Sequence, residues 1–243
     1  MARLPNPPSP GFGAARVAAV FFDVDFTLIY PGPTFQGEGY HRFAAAHGME
    51  IDPSRFDAAV RAASSILDEQ QEHVYSEDMF VRYTGRILEG MGAKGPAIAA
   101  CASEVYREWA TCHHFFLYDD VAPALRELHA RGIKIGLISN SHRSMQAFEE
   151  HFELRGLISA AITSHEHGYM KPHPSIFEAA LKLAGVSAEE SLMVGDSIAH
   201  DIEGALGVGM RGVLVHRSHE AVSAPPSVSI VSDLSEVLSL VVS

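Results

Sequence analysis

Cysteine occurs only twice in this 243-residue chain, at Cys101 and Cys112. Two thiols in a chain of this size make no disulfide framework, so free thiols and a reducing, cytoplasmic setting are expected. Long apolar runs are missing as well: no stretch approaches the roughly 18 residues needed to cross a bilayer. Basic residues are scarce. Lys+Arg number 18 against 30 Asp+Glu, a formal net charge of −12, which argues against nucleic acid or an anionic membrane as partner. The same excess of acid is a problem for an anionic substrate, which a local cation or metal must solve. Histidine is frequent, but His113–His114, His165 with His167, and His216 with His219 do not stand at the spacing of a zinc motif. Residues 1–13 are rich in proline and glycine, carry no apolar core, and are expected to form a flexible tail.

What remains has an ordinary globular balance, 47% hydrophobic and 20% charged, and its length suits one large domain or a core with a smaller companion. Residues 16–22 form a β-branched and aromatic run that reads as a strand. Residues 31–39 are a Pro/Gly-rich loop. Segments 38–48, 53–71, 76–91 and 96–111 carry apolar residues at helical spacing. Pro53 and Pro96 stand near helix starts, and Gly48 and Gly92 suit helix ends. From about residue 119 strands alternate with helices: strands at 134–138, 160–163, 191–194, 212–215 and 228–231, helices at 123–131, 144–152, 174–184, 198–207 and 234–242. That alternation implies a parallel sheet covered on both faces. The expected architecture is α/β: a Rossmann-like parallel core from residues 14–30 and 115–243, with a helical cap from residues 31–114 inserted after the first strand. An insert of that length is too long for a structureless loop.

The chemistry sits at the strand ends. The first strand ends in Asp23 and Asp25, one residue apart, and buried carboxylates are costly unless a metal or donors compensate. Ser139 and Asn140 follow the strand at 134–138. Lys171-Pro172 comes after the strand at 160–163. Gly195-Asp196-Ser197 follows the strand at 191–194, with Asp201 five residues beyond Asp196. In a parallel sheet these ends face one side. Together they supply oxygen ligands for a hard cation, hydroxyl and amide donors, and one ammonium, the parts of a phosphate site.

In these four clusters the chain resembles the haloacid dehalogenase-like hydrolase superfamily, and the likeness covers the whole expected core. The resemblance implies that Asp23 is a nucleophile that takes a phosphoryl group, and that Asp25 is the acid for the leaving alcohol and then the base for water. It implies that Thr27, Ser139 and Asn140 position phosphoryl oxygens, that Lys171 holds nucleophile and phosphate together, and that Mg²⁺ is bound by Asp23, the backbone carbonyl of Asp25 and Asp196. Asp201 is then a further ligand or an acid behind the ligands. Dehalogenases of the family lack an acid two residues after the nucleophile, so Asp25 favours phosphoryl transfer. Phe26 stands where many relatives have glycine.

The expected activity is Mg²⁺-dependent hydrolysis of a small phosphorylated metabolite, by a monomer or homodimer that binds neither nucleic acid nor membrane. The alternatives are a sugar-phosphate phosphomutase on the same core, a haloacid dehalogenase, or a non-catalytic member. Tyr30, Phe35, Gln36, Tyr40, His41 and Arg42 lie near the cap junction and are candidates to reach the site, as is Arg143 for a substrate anion. The aromatics of the insert are expected to serve mainly as helix–helix core.

Overall fold

The computed structural model describes residues 16–68, 72–218 and 222–241. The tail expected over residues 1–13 lies outside them, as do the end of the helix expected over 53–71, His219 and the last residues of the chain. Strand β1 (Ala19–Phe22) is followed by a tight reversal and β2 (Ile29–Pro31). The insert holds α1 (Gly37–Ala46), α2 (Phe56–Ala63), α3 (Glu77–Met91) and α4 (Ile98–Trp109). The chain returns through β3 (Phe115–Leu117), then α5 (Val121–Ala130), β4 (Lys134–Ser139), α6 (Met145–His151), β5 (Ile158–Thr163), α7 (Ser164–His167) and α8 (Pro174–Ala184). It closes with β6 (Ser191–Gly195), α9 (Glu203–Gly207), β7 (Arg211–Val215), β8 (Ser229–Val231) and α10 (Leu234–Leu240).

Six strands form one parallel sheet in the order β5-β4-β1-β6-β7-β8. The period of two along β1 divides the core into two layers. Val20 and Phe22 face one side, packed with residues of α5, α6 and α10 such as Leu125, Phe148 and Val237. Ala19 and Phe21 face the other, packed with Ile176 and Phe177 of α8 and Ala205 of α9. All four β1 residues are fully buried, and each phenylalanine contributes about 1.5–3 kcal/mol by burial. Gly136 on β4 makes room for one of them: a Cβ there would lie 2.2 Å from the Phe21 ring.

The chain runs from β1 outward through β4 and β5, then returns to lay β6, β7 and β8 on the opposite flank. β1 therefore lies at the switch point, where a parallel sheet leaves a crevice at its carboxyl edge.

The insert departs from the sequence expectation in two places. The helix expected over 53–71 is broken into a 3₁₀ turn (Pro53–Arg55), α2, and a second 3₁₀ turn (Ser64–Asp68). Asp52 caps the first turn by accepting from Ser54 N, and the Ser64 hydroxyl donates to Arg61 O, a local bond that competes with the helix ladder. The second departure is an antiparallel pair, β2 with β3, in register Ile29–Leu117, Tyr30–Phe116 and Pro31–Phe115. Three residues each, one a proline, are too few to show a period. The segment expected as one helix over 198–207 opens with a wide π turn (Ile198–Ile202) before α9. Cys101 and Cys112 are free and buried. No helix among the described residues is long and apolar enough to cross a membrane.

Candidate active site

Asp23 stands directly after β1, its N–H donating to Val194 O at 2.9 Å and so extending the β1–β6 ladder. The chain then folds back on itself: Leu28 and Ile29 N–H both donate to Val24 O, and Phe26 N–H donates to Ile29 O at 2.7 Å. This reversal puts Phe26 at φ +66°, the left-handed region. That is the conformation glycine adopts most readily. Phe26 holds it with a ring that is 46% exposed.

Asn140, just past β4, ties down Lys171. Its Nδ2 donates to Lys171 O at 3.0 Å, and Lys171 N–H donates to its Oδ1 at 2.7 Å. With its backbone fixed, Lys171 reaches two carboxylates: Nζ donates to Asp23 Oδ1 at 2.5 Å and to Asp201 Oδ1 at 2.6 Å. Asp201 is in turn held by Ser197 N–H on its other oxygen, at 3.0 Å. Gly195 permits this approach, since a Cβ there would lie 2.3 Å from the Asp201 carboxylate. Asp23, Asp196 and Asp201 each place a carboxylate oxygen within 4.8 Å of the others.

Burial raises Asp23 well above the usual carboxylate range, Asp201 and Asp196 add to the rise, and Lys171 opposes it. Enclosure and then the Asp201 charge push Asp196 up to about 7, against Lys171. Its residue surface is nevertheless exposed, and water on that side tempers the push. For Lys171 burial works against the ammonium, but Asp201 and Asp23 outweigh it and hold the charge above the ordinary lysine range. Three acids against one ammonium leave an excess of negative charge. The donor set is made of hard carboxylate oxygens, which fits a small divalent cation such as Mg²⁺.

These groups line a cavity of about 220 Å³ containing Asp23, Asp25, Asn140, Lys171, Asp196 and Asp201. Ser197, His200 and Phe26 complete the lining. A lone histidine gives no signal in the sequence, and His200 was not singled out by it. Thr27 and Ser139 do not line this cavity. The reversal after β1 buries Thr27 completely, and Ser139, also buried, donates to Ser141 Oγ at 2.9 Å.

Arg143 does not face the cavity either. Its side chain is fully buried, with Nη1 and Nη2 each donating to one oxygen of Asp25 at 3.0 Å. Nη2 also donates to Trp109 O at the end of α4, at 2.9 Å, and the guanidinium lies 4.4 Å from the Phe115 ring centroid. Its charge thus faces Asp25 and the cap exit. Of the junction candidates, Tyr40 lines a second cavity beside the first, Phe35 is buried against Trp109 and Phe115, and Tyr30 lies in a separate shallow pocket with Tyr118. Gln36, His41 and Arg42 line none of these three cavities.

A parallel α/β sheet with acids and a lysine gathered at the carboxyl ends of its central strands, under a helical insert, defines a class of hydrolase fold. The chain belongs to the haloacid dehalogenase-like hydrolases, whose family model matches residues 17–209. It is 30% identical over 190 residues to human haloacid dehalogenase-like hydrolase domain-containing protein 3, covering 74% of each chain. It is also 30% identical over 206 residues to the glyceraldehyde 3-phosphate phosphatase of Methanopyrus kandleri, covering 83% of this chain and 84% of the relative. Among solved structures, a HAD phosphatase from Thermococcus onnurineus shares the fold with a TM-score of 0.65, at 24% identity over 92% of this chain and 97% of that one.

Proposed function

We propose that this hydrolase cleaves a small phosphate monoester through a covalent aspartyl phosphate. The observation that carries the reading is the contact of Lys171 Nζ with both Asp23 and Asp201 in a cavity that also holds Asp196. The named activity of the Methanopyrus kandleri relative supports it.

In the first step a carboxylate oxygen of Asp23 attacks phosphorus, a new P–O bond forms to Asp23, and the ester P–O bond breaks. The departing alcohol oxygen takes its proton from Asp25. In the second step water attacks phosphorus, Asp25 accepts its proton, and the bond to Asp23 breaks to release inorganic phosphate. Splitting one displacement in two lowers each barrier. Lys171 keeps the Asp23 oxygen directed and offsets charge on the phosphoryl group. Asp25 lines the cavity with one bond from each of its oxygens to Arg143; that fork fixes the carboxyl group and leaves further lone pairs on the same oxygens for the proton it gives and takes. Asn140 acts by fixing Lys171.

Mg²⁺ fits the group formed by Asp23 and Asp196, with Asp201 beside them; when bound it supplies positive charge for the phosphoryl oxygens. A haloacid substrate would need no acid at Asp25, which favours the phosphate ester. Phosphate release from a monoester panel tests the reading: wild type is expected to turn over with Mg²⁺ and Asp23→Asn to be inactive yet folded. An active Asp23→Asn variant would refute it, and isomerisation of a sugar phosphate without free phosphate would replace it with a mutase.

A further inference from the structure

Beside the carboxylate cavity lies a second one of about 210 Å³, between the insert and the core. The two share Asp25, Phe26 and Asn140 in their linings, so the second opens onto the reacting groups. Its walls are aromatic: Phe26, Tyr40, Phe80, Tyr83, Tyr106 and Trp109. The rings come from the reversal after β1 and from α1, α3 and α4. The insert's aromatics are therefore not only helix–helix core; several face a space that a ligand can fill.

Charge is nearly absent from this cavity. Among its lining residues Asp25 is acidic and already opposed by Arg143, and there is no lysine or arginine. His142 is held neutral at physiological pH: enclosure and the nearby Arg143 and His165 push it down to about 4. Its ring stacks on Tyr106 with centroids 4.1 Å apart. Polar groups in the lining are mostly engaged within the protein. Thr84 Oγ1 donates to Phe80 O, Asn140 bonds Lys171 through both ends of its amide, and Tyr106 OH bonds Tyr75 OH. His142 Nε2 is buried without a hydrogen-bond partner among the described residues.

We propose that the phosphate ester taken by this chain has an uncharged, largely apolar cyclic alcohol part, seated in the aromatic cavity while its phosphate lies against Asp23 and Lys171. The proposal rests on the phosphatase reading and adds the substrate class. A carboxylate or second phosphate on the leaving group would enter an apolar space with no countercharge, and a polyol would find only the hydroxyls of Tyr40 and Tyr83 and His142 Nε2 to meet its several hydroxyls. Size agrees: a dry cavity of about 150 Å³ takes a benzene ring, and this one is larger. One hydroxyl or amine on the ring could be met by His142 Nε2.

Three esters with similar alkyl leaving groups test it: benzyl phosphate, 4-carboxybenzyl phosphate and erythritol 4-phosphate, each assayed for kcat/KM with Mg²⁺. Benzyl phosphate is expected to be favoured at least tenfold over both others. Equal or better turnover of the carboxylated or polyol ester would overturn the substrate class and leave the phosphatase reading intact. A second readout needs no turnover. Trp109 is the sole tryptophan, so its indole N–H gives one resonance in a ¹⁵N-labelled sample of the whole chain. Benzyl alcohol is expected to shift it at concentrations at least tenfold lower than 4-(hydroxymethyl)benzoate. That preference with no phosphate released from any ester would overturn the phosphatase reading and uphold the ligand class of the cavity. Equal shifts would overturn the ligand class whatever the turnover.

Discussion

Arg143 and Asp25 face each other as a fork and a carboxylate, two bonds of 3.0 Å across 118 residues of sequence. The same guanidinium donates to the backbone carbonyl of Trp109 at the exit of the insert. Position of the acid and seating of the cap thus meet in one side chain. Lysine keeps the charge but not the fork. Arg143→Lys is expected to lose about 1.5–3 kcal/mol of stability for the charge-assisted bonds removed. It should also lower kcat roughly tenfold or more, since misplacing a general acid forfeits much of its contribution. Thermal melts and steady-state kinetics measure both; a wild-type kcat would mean Arg143 does nothing for Asp25.

Lys171 is the single ammonium against Asp23 and Asp201. Lys171→Met leaves those buried acids uncompensated, and breaking such a pair costs about 3–5 kcal/mol. Denaturant unfolding is expected to show that loss at neutral pH, with phosphate release abolished. A variant as stable as wild type would show that the charge of Lys171 is not what the buried acids require.

Phe26 carries a backbone conformation that disfavours any Cβ. The usual order of alanine and glycine should therefore be reversed here. Phe26→Gly is expected to be more stable than Phe26→Ala by about 1 kcal/mol, although both lose the ring. Chemical denaturation of the two variants decides it, and the ordinary order would contradict the left-handed backbone.

His142 gives a pH signature. Its folded value is pushed down to about 4 from an ordinary 6.5. Above 6.5 both folded and unfolded chains carry it neutral, so its contribution is constant. As pH falls from 6.5 toward 4 the unfolded chain takes up the proton and the folded one does not, so stability is lost across that window. Wild type should lose about 1–3 kcal/mol more than His142→Gln between pH 7 and pH 4, allowing for partial solvent access. Parallel stability curves for the two proteins would refute it.

Mg²⁺ should stabilise the folded chain through the acid group. At 100 times its dissociation constant a ligand of the folded state adds about 2.7 kcal/mol, roughly 5–10 °C in a chain of this size. Asp196→Asn is expected to abolish most of the shift. An equal Mg²⁺ shift in the variant would place the ion elsewhere.

Three of the polar clusters were legible because each ends a strand, and a parallel sheet brings such ends to one edge whatever the intervening sequence. Asp23, Asn140 and Asp196 meet for that reason. Lys171 lies beyond α7 and is drawn in by Asn140. Thr27 and Ser139 share those clusters and still do not line the cavity, because the local reversal buries one and a hydroxyl pair engages the other, and neither leaves a pattern in composition. Arg143 read as a candidate to meet a substrate anion; its burial follows from where Asp25 and Trp109 arrive, both far off in sequence. The aromatics of the insert repeat at helical spacing either way, so periodicity cannot separate rings that fill a core from rings that border a cavity.

The pairing of β2 with β3 bears on how such a protein can change over generations. Exit and re-entry points of the insert are neighbours on one ladder, and lengthening a loop closed there costs only about 0.6 kcal/mol per doubling. Any segment whose ends come together at one strand spacing could be spliced there without disturbing the sheet beneath. The sheet with its acids and the helical layer above it can then diversify separately, one kept while the other is exchanged.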